Sequence, residues 1–130
     1  MHDGWFEEDT THGPVRVDTF DESRPHEGKV LGIVQAHADD MPLCSGGLVA
    51  KLVAEGYKAF IIQTTNDEKC GPGSSGDAIK SNEVDVAALA KSLGIEDVFN
   101  LGYRNHRQEE NSMLEQRCRL IFLFRHLQVD

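Results

Sequence analysis

No stretch of this sequence approaches the roughly 18 to 20 consecutive apolar residues that span a bilayer, and its opening, Met1-His2-Asp3-Gly4-Trp5, has no basic segment leading into an apolar core. Both absences predict a cytoplasmic chain with no membrane partner. Basic residues are scarce: 13 Lys and Arg stand against 22 Asp and Glu, a formal charge of -9. A surface of that sign repels phosphate backbones, which argues against nucleic acid as a partner. Cysteine is sparse too. Cys44, Cys70 and Cys118 are an odd number with no C-x-x-C pair, so neither a disulfide framework nor a thiolate zinc site is expected. Cys44 and Cys118 read as small buried hydrophobes, and Cys70 as an exposed member of a Gly-rich loop. No G-x-G-x-x-G follows the first predicted strand, which weakens a dinucleotide-binding reading.

What is present is enough for one domain with a modest core, 130 residues at 39% hydrophobic content. The charge is uneven. Residues 1–28 hold two basic and eight acidic side chains, or -6, which leaves -3 for residues 29–130. The first 28 residues therefore read as an acidic extended leader. In it Trp5, Phe6, Val15, Val17 and Phe20 are available to dock on a surface, and His2, His12 and His26 are expected to be solvated.

From Lys29 onward, apolar runs alternate with helical stripes. Val30 to Ala36 is a β-rich run read as a central strand covered on both faces. Gly46-Gly47 and the apolar face of Leu48, Val49, Leu52 and Val53 form a helix ended at Gly56. Lys58 to Thr65 is a second strand, and Asn66 to Gly76 a mobile loop. A second helix starts from an N-cap at Asp77, carries Ile79, Val86, Ala87, Ala90 and Leu93, and closes at Gly94. Asp97 to Leu101 is a third strand. Ser112 opens a third helix whose buried stripe is Leu114, Cys118, Ile121 and Phe122. Repeated strand and helix units of this kind build an α/β fold, a Rossmann-like three-layer sandwich with a parallel sheet.

His37, Asp39 and Asp40 follow the first strand at its carboxyl end, the edge where open α/β sheets bind ligands. Imidazole and carboxylate are zinc donors, and a catalytic zinc keeps three protein ligands and one open position. His37 and Asp40, three residues apart across a tight turn, can meet on one ion, while Asp39 between them is left to act as a general base. The plain alternative is equally open at this point: Asp40 caps the next helix, Asp39 is solvated, and His37 has a backbone partner.

Ala36-His37-Ala38-Asp39-Asp40-Met41, followed by Gly46-Gly47, resembles the A-H-P-D-D-E signature of the zinc-dependent N-deacetylases of the LmbE and PIG-L type. Further pieces agree in order: Ala54 to Tyr57, Gln63 to Glu68, Lys80 to Glu83, Leu93 to Ile95, and Leu101 to Tyr103. The resemblance covers Lys29 to Asp130, read as the N-terminal part of an LmbE-like domain. It implies that His37 and Asp40 bind Zn2+ or another divalent metal, that Asp39 is the catalytic base, and that Lys80 and Asn105 contact substrate. Ala38 departs from the signature's proline, Met41 from its glutamate, and Lys80 from an arginine whose planar fork lysine lacks. A third ligand is expected beyond Asp130, with the loop residue His106 as an internal substitute.

The implied reaction removes an N-acetyl group from an amino sugar or related small molecule, with the loop Asn66 to Gly76 closing over it. A homo-oligomer fits that reading. The rival is a truncated or degenerate α/β module that binds a small sugar, a nucleotide or a partner subunit.

Overall fold

A computed structural model of the chain describes residues 5–8 and 15–130, with side chains from residue 17. Two short strands, β1 (Trp5–Glu8) and β2 (Val15–Asp18), pair antiparallel with Trp5 opposite Asp18. The segment read as an extended leader thus contains a strand pair. Val17 and Phe20 are exposed; the side chains of Trp5, Phe6 and Val15, and all of His2 and His12, lie outside the described residues. His26 is not a solvated histidine. Its ring stacks on Tyr57 at 4.5 Å and its Nε2 lies 3.5 Å from a carboxylate oxygen of Glu55.

Three parallel strands make the main sheet: β3 (Val30–Gln35), β4 (Lys58–Thr65) and β5 (Asp97–Tyr103), in the order β3-β4-β5. The centre of the sheet is therefore β4 and not β3. Continuous apolar runs do mark strands covered on both faces, but the run in β4 is the one so covered, with Ile61 and Ile62 fully buried on opposite faces. Burying each of these side chains contributes about 1.5 to 3 kcal/mol. β3 lies at an edge, and Val34 is 47% exposed.

Helices α1 (Asp40–Ala54) and α2 (Ser75–Leu93) cover one face. There Met41 and Val49 from α1 and Val86 and Ala90 from α2 pack on Ala59 and Ile61, with Leu31, Ile33 and Val98 partly buried around them. α1 begins six residues before Gly46, because Pro42 sits in the first turn, where its missing N–H costs nothing. α2 is capped by Ser74 and not by Asp77: the Ser74 hydroxyl accepts the Asp77 N–H, and the Asp77 carboxylate accepts the Ser74 N–H in return.

α3 (Met113–Leu127) lies over the other face, and Phe124 and Val129 pack beside Gly32. Its capping residue is Ser112, as expected. Its stripe is not. Leu114, Ile121 and Phe122 are exposed and Leu123 is the buried residue. Cys44 and Cys118 are exposed as well as Cys70. Helical periodicity identifies a face but not which face meets the sheet, and the two were inverted here.

Gly56 joins α1 to β4 with a φ of +112°, and a Cβ there would come 2.8 Å from the backbone nitrogen of Glu27. Only glycine allows that approach. The buried Glu55 beside it accepts the Asp21 N–H and pairs with Lys51, which also holds Asp18. Among the described residues no helix is long and apolar enough to cross a membrane.

Candidate metal centre

The site is built where the ends of β3, β4 and β5 come together. Thr65 at the end of β4 donates its N–H and its hydroxyl to the Ala36 carbonyl, at 3.3 and 2.6 Å. That pins the residue before His37. At the other side β4 and β5 slip register between Gln63 and Thr65, opposite Asn100 and Tyr103. The extra residue is taken up around Gly102, whose φ is +71°, and such a bulge re-aims the chain that follows. Here it delivers Asn105 to the end of β3.

His37, Asp39 and Asp40 converge: one ligand atom from each lies within 4.8 Å of the others. Asp40 does not cap α1. Its Oδ2 accepts the backbone N–H groups of Ala36 and His37, each at 2.9 Å, and lies 3.6 Å from His37 Nδ1. Those two N–H bonds, with the neighbouring imidazole, outweigh partial burial and hold the Asp40 carboxyl below its ordinary value. Asp39 stands at the helix N-cap, exposed, with no side-chain cap bond. Its carboxylate is accordingly open to solvent.

His37 Nε2 lies 2.9 Å from Asn105 Oδ1. Partial burial disfavours the imidazolium, yet the Asn105 contact and the charges of Asp40 and Asp67 overcome it, and the pKa is raised from 6.5. Asn105 is fully buried. Its amide nitrogen donates to Asp67 Oδ1 at 3.3 Å and to Cys70 Sγ at 3.5 Å, and its backbone N–H meets Glu68 Oε2 at 3.4 Å. Glu68 in turn pairs with Arg104 at 3.2 Å.

Asp67, 2% exposed, accepts the Ala38 N–H at 3.0 Å. A hydrogen bond from the Cys70 thiol to Asp67, with burial, raises that thiol's pKa and keeps it protonated, which argues against a nucleophile there. Asp67 and Asn82 were not singled out as site residues in the sequence. The Asn82 side-chain amide donates to the carbonyls of Asp67 and Cys70, at 3.2 and 2.8 Å. The signal that would have found Asp67 is the order Asn66-Asp67-Glu68 directly after a strand end, at the same edge as His37.

Lys80 is exposed on α2, and no hydrogen bond or ion pair among the described residues ties it to this cluster. His106 shares the edge, its ring 5.6 Å from that of His37, but it is not part of the compact donor group. Arg107 pairs with Glu110. A second pattern, Gly71-Pro72-Gly73-Ser74-Ser75-Gly76, opens α2 in the manner of a phosphate loop. The Asp77 carboxylate fills that helix end, 3.0 Å from the Ser74 N–H and 2.6 Å from its hydroxyl, so an anion would meet like charge.

One imidazole and two carboxylates fit zinc or a comparable divalent ion, since all three are nitrogen and oxygen donors already held close together. The Asp40 arrangement supports that fit. Two backbone N–H groups satisfy Oδ2, which leaves Oδ1 for an ion.

A family model described as GlcNAc-PI de-N-acetylase, PIG-L, matches residues 33–129. No curated protein matches the chain significantly. Among solved structures, N,N'-diacetylchitobiose deacetylase from Pyrococcus horikoshii is similar with 26% identity and a TM-score of 0.70, over 85% of this chain and 42% of that one. A conserved protein from Thermus thermophilus has 30% identity and a TM-score of 0.64, over 76% and 42% of the two chains. The 4-carboxy-2-hydroxymuconate hydratase from Pseudomonas putida, at 19% identity and a TM-score of 0.66, shares the fold over 78% of this chain and 44% of its own. The chain thus spans less than half the length of each of these three structures.

Proposed function

We propose, from the premise that the chain belongs to the GlcNAc-PI de-N-acetylase family, that it carries the metal-binding edge of a hydrolase removing an N-acetyl group from an amino sugar or related small molecule. The observation that carries this reading is the convergence of His37, Asp39 and Asp40 within 4.8 Å at the carboxyl end of β3. The similarity to a chitobiose deacetylase supports an acetylated amino sugar as the substrate class.

His37 and Asp40 would hold the metal, His37 with a ring nitrogen and Asp40 with a carboxylate whose Oδ2 already accepts two backbone N–H groups. When bound, a divalent ion such as zinc supplies Lewis acidity to the amide carbonyl and acidity to water. Asp39 would receive the proton of the attacking water, a role that suits an exposed carboxylate within 4.8 Å of the ligand atoms. Lys80 and Asn105 remain proposals as substrate contacts, and Lys80 needs the substrate itself to bridge it to the cluster.

The test loads metal-depleted protein with zinc and follows metal content and acetate release from an N-acetylglucosaminyl substrate. About one ion per chain is expected, and Asp39→Asn should lower acetate release by about 10²- to 10⁴-fold while the metal is retained. Equal rates in Asp39→Asn and the parent would remove the base assignment. Absence of both metal and acetate release would remove the hydrolase reading.

A further inference from the structure

A metal ligand must present a lone pair, so the chemistry at His37 depends on which ring nitrogen keeps the proton. The chain settles that through three residues in series. Asp67 is a buried carboxylate and can only accept. Its Oδ2 takes the Ala38 N–H, and its Oδ1, at 3.3 Å from the Asn105 amide nitrogen, requires that the NH2 of Asn105 point toward it. The other end of the amide, Oδ1, must then face His37, where it lies 2.9 Å from Nε2. An amide oxygen is an acceptor, so Nε2 must be the protonated nitrogen. The lone pair is left on Nδ1, the nitrogen on the side of Asp40, 3.6 Å from its Oδ2.

We propose that Asp67 and Asn105 are positioning residues that fix His37 in the Nε2–H tautomer and so aim its Nδ1 lone pair at the metal site. The arrangement is a carboxylate and histidine pair with an amide inserted between them. It rests on the reading of His37 as a metal ligand given above. It also gives Asn105 a role consistent with its complete burial.

Two substitutions separate this from a role in folding. In Asp67→Asn the shape is kept, and the new amide's oxygen still accepts the Ala38 N–H. Its NH2 must then face Asn105, so the Asn105 amide turns over and offers NH2 to His37. The ring proton should move to Nδ1. In Asn105→Ala the contact is gone and the two tautomers should mix.

The readout is long-range nitrogen–proton correlation NMR on metal-free protein with labelled histidine, at a pH high enough that the His37 shifts no longer change and the ring is neutral, with the His37 signals assigned by their loss in His37→Gln. Zinc affinity, measured by competition with a chromophoric chelator, should fall about 10- to 100-fold in both variants, with an unchanged circular dichroism spectrum. The variants act independently, so misfolding of one leaves the other to decide. Retention of the Nε2–H form in every folded variant would overturn the proposal. Zinc bound by the parent chain together with an unmoved proton would refute the positioning role and leave the metal reading intact. A proton that moves as described in a parent chain that binds no zinc would support the positioning role and refute the metal reading.

Discussion

Asp40 accepts the backbone N–H of His37 at 2.9 Å while the two side chains lie 3.6 Å apart, so one carboxylate shapes the turn that carries its neighbour. Removing it has two separable effects. Asp40→Ala should lose about 1 kcal/mol of stability, a modest figure because the side chain is 43% exposed and its charge is screened. Asp40→Asn keeps an acceptor for the turn and should lose less stability, yet it should bind zinc far more weakly because the ligand is neutral. Denaturant titration and chelator competition on the same two proteins check the split.

The raised pKa of His37 sets a pH dependence with a definite sign. Its folded value lies above the unfolded 6.5, so its contribution to stability is complete below about pH 6.5 and is lost as pH rises through the folded pKa. Metal-free protein should therefore lose more stability than His37→Gln does as pH rises above about 6.5. Zinc affinity should move the opposite way and climb over that window, because ligation needs the neutral ring. Thermal melts with and without zinc across this range test both slopes.

Gly56→Ala should cost about 1 to 3 kcal/mol. The backbone there has φ +112°, and the added methyl would stand 2.8 Å from the Glu27 nitrogen. The damage should appear as a lower denaturation midpoint with metal binding preserved, since the contact lies at the opposite end of the strands from His37.

At the start of α2, Ser74→Ala should cost about 1 kcal/mol through loss of the cap. Asp77 adds an acid limb. Its hydrogen bonds with Ser74 lower its folded pKa below 3.8, so its contribution is present above that value and disappears as pH falls through the folded one. Asp77→Asn should flatten the loss of stability on acidification, as followed by melts below about pH 5.

Much of this architecture was legible as pattern. The run Lys58 to Thr65 coincides with β4, because a strand buried on both faces leaves an unbroken apolar signature. Gly94 ends α2 as read, and it does so in the left-handed conformation. The proximity of His37, Asp39 and Asp40 was visible too, because the three are local: a strand end and a tight turn place them with no help from distant chain. Lateral order was not legible. Which strand lies at the centre depends on pairing across tens of residues, and so β3 was misplaced. Asp67 and the buried role of Asn105 escaped for the same reason, since their contacts to Ala38 and His37 join loops 29 and 68 residues away.

The amide of Asn82, with its grip on the Asp67 and Cys70 carbonyls, bears on how a ligand would be admitted. The first part of the segment that sequence alone suggested as a mobile loop, Asp67 to Cys70, is fastened to helix α2. A ligand would meet a rim already standing. Selection among candidate molecules would then be made by outline at rest, and the ordering entropy of that wall is spent when the polypeptide folds, before any guest arrives.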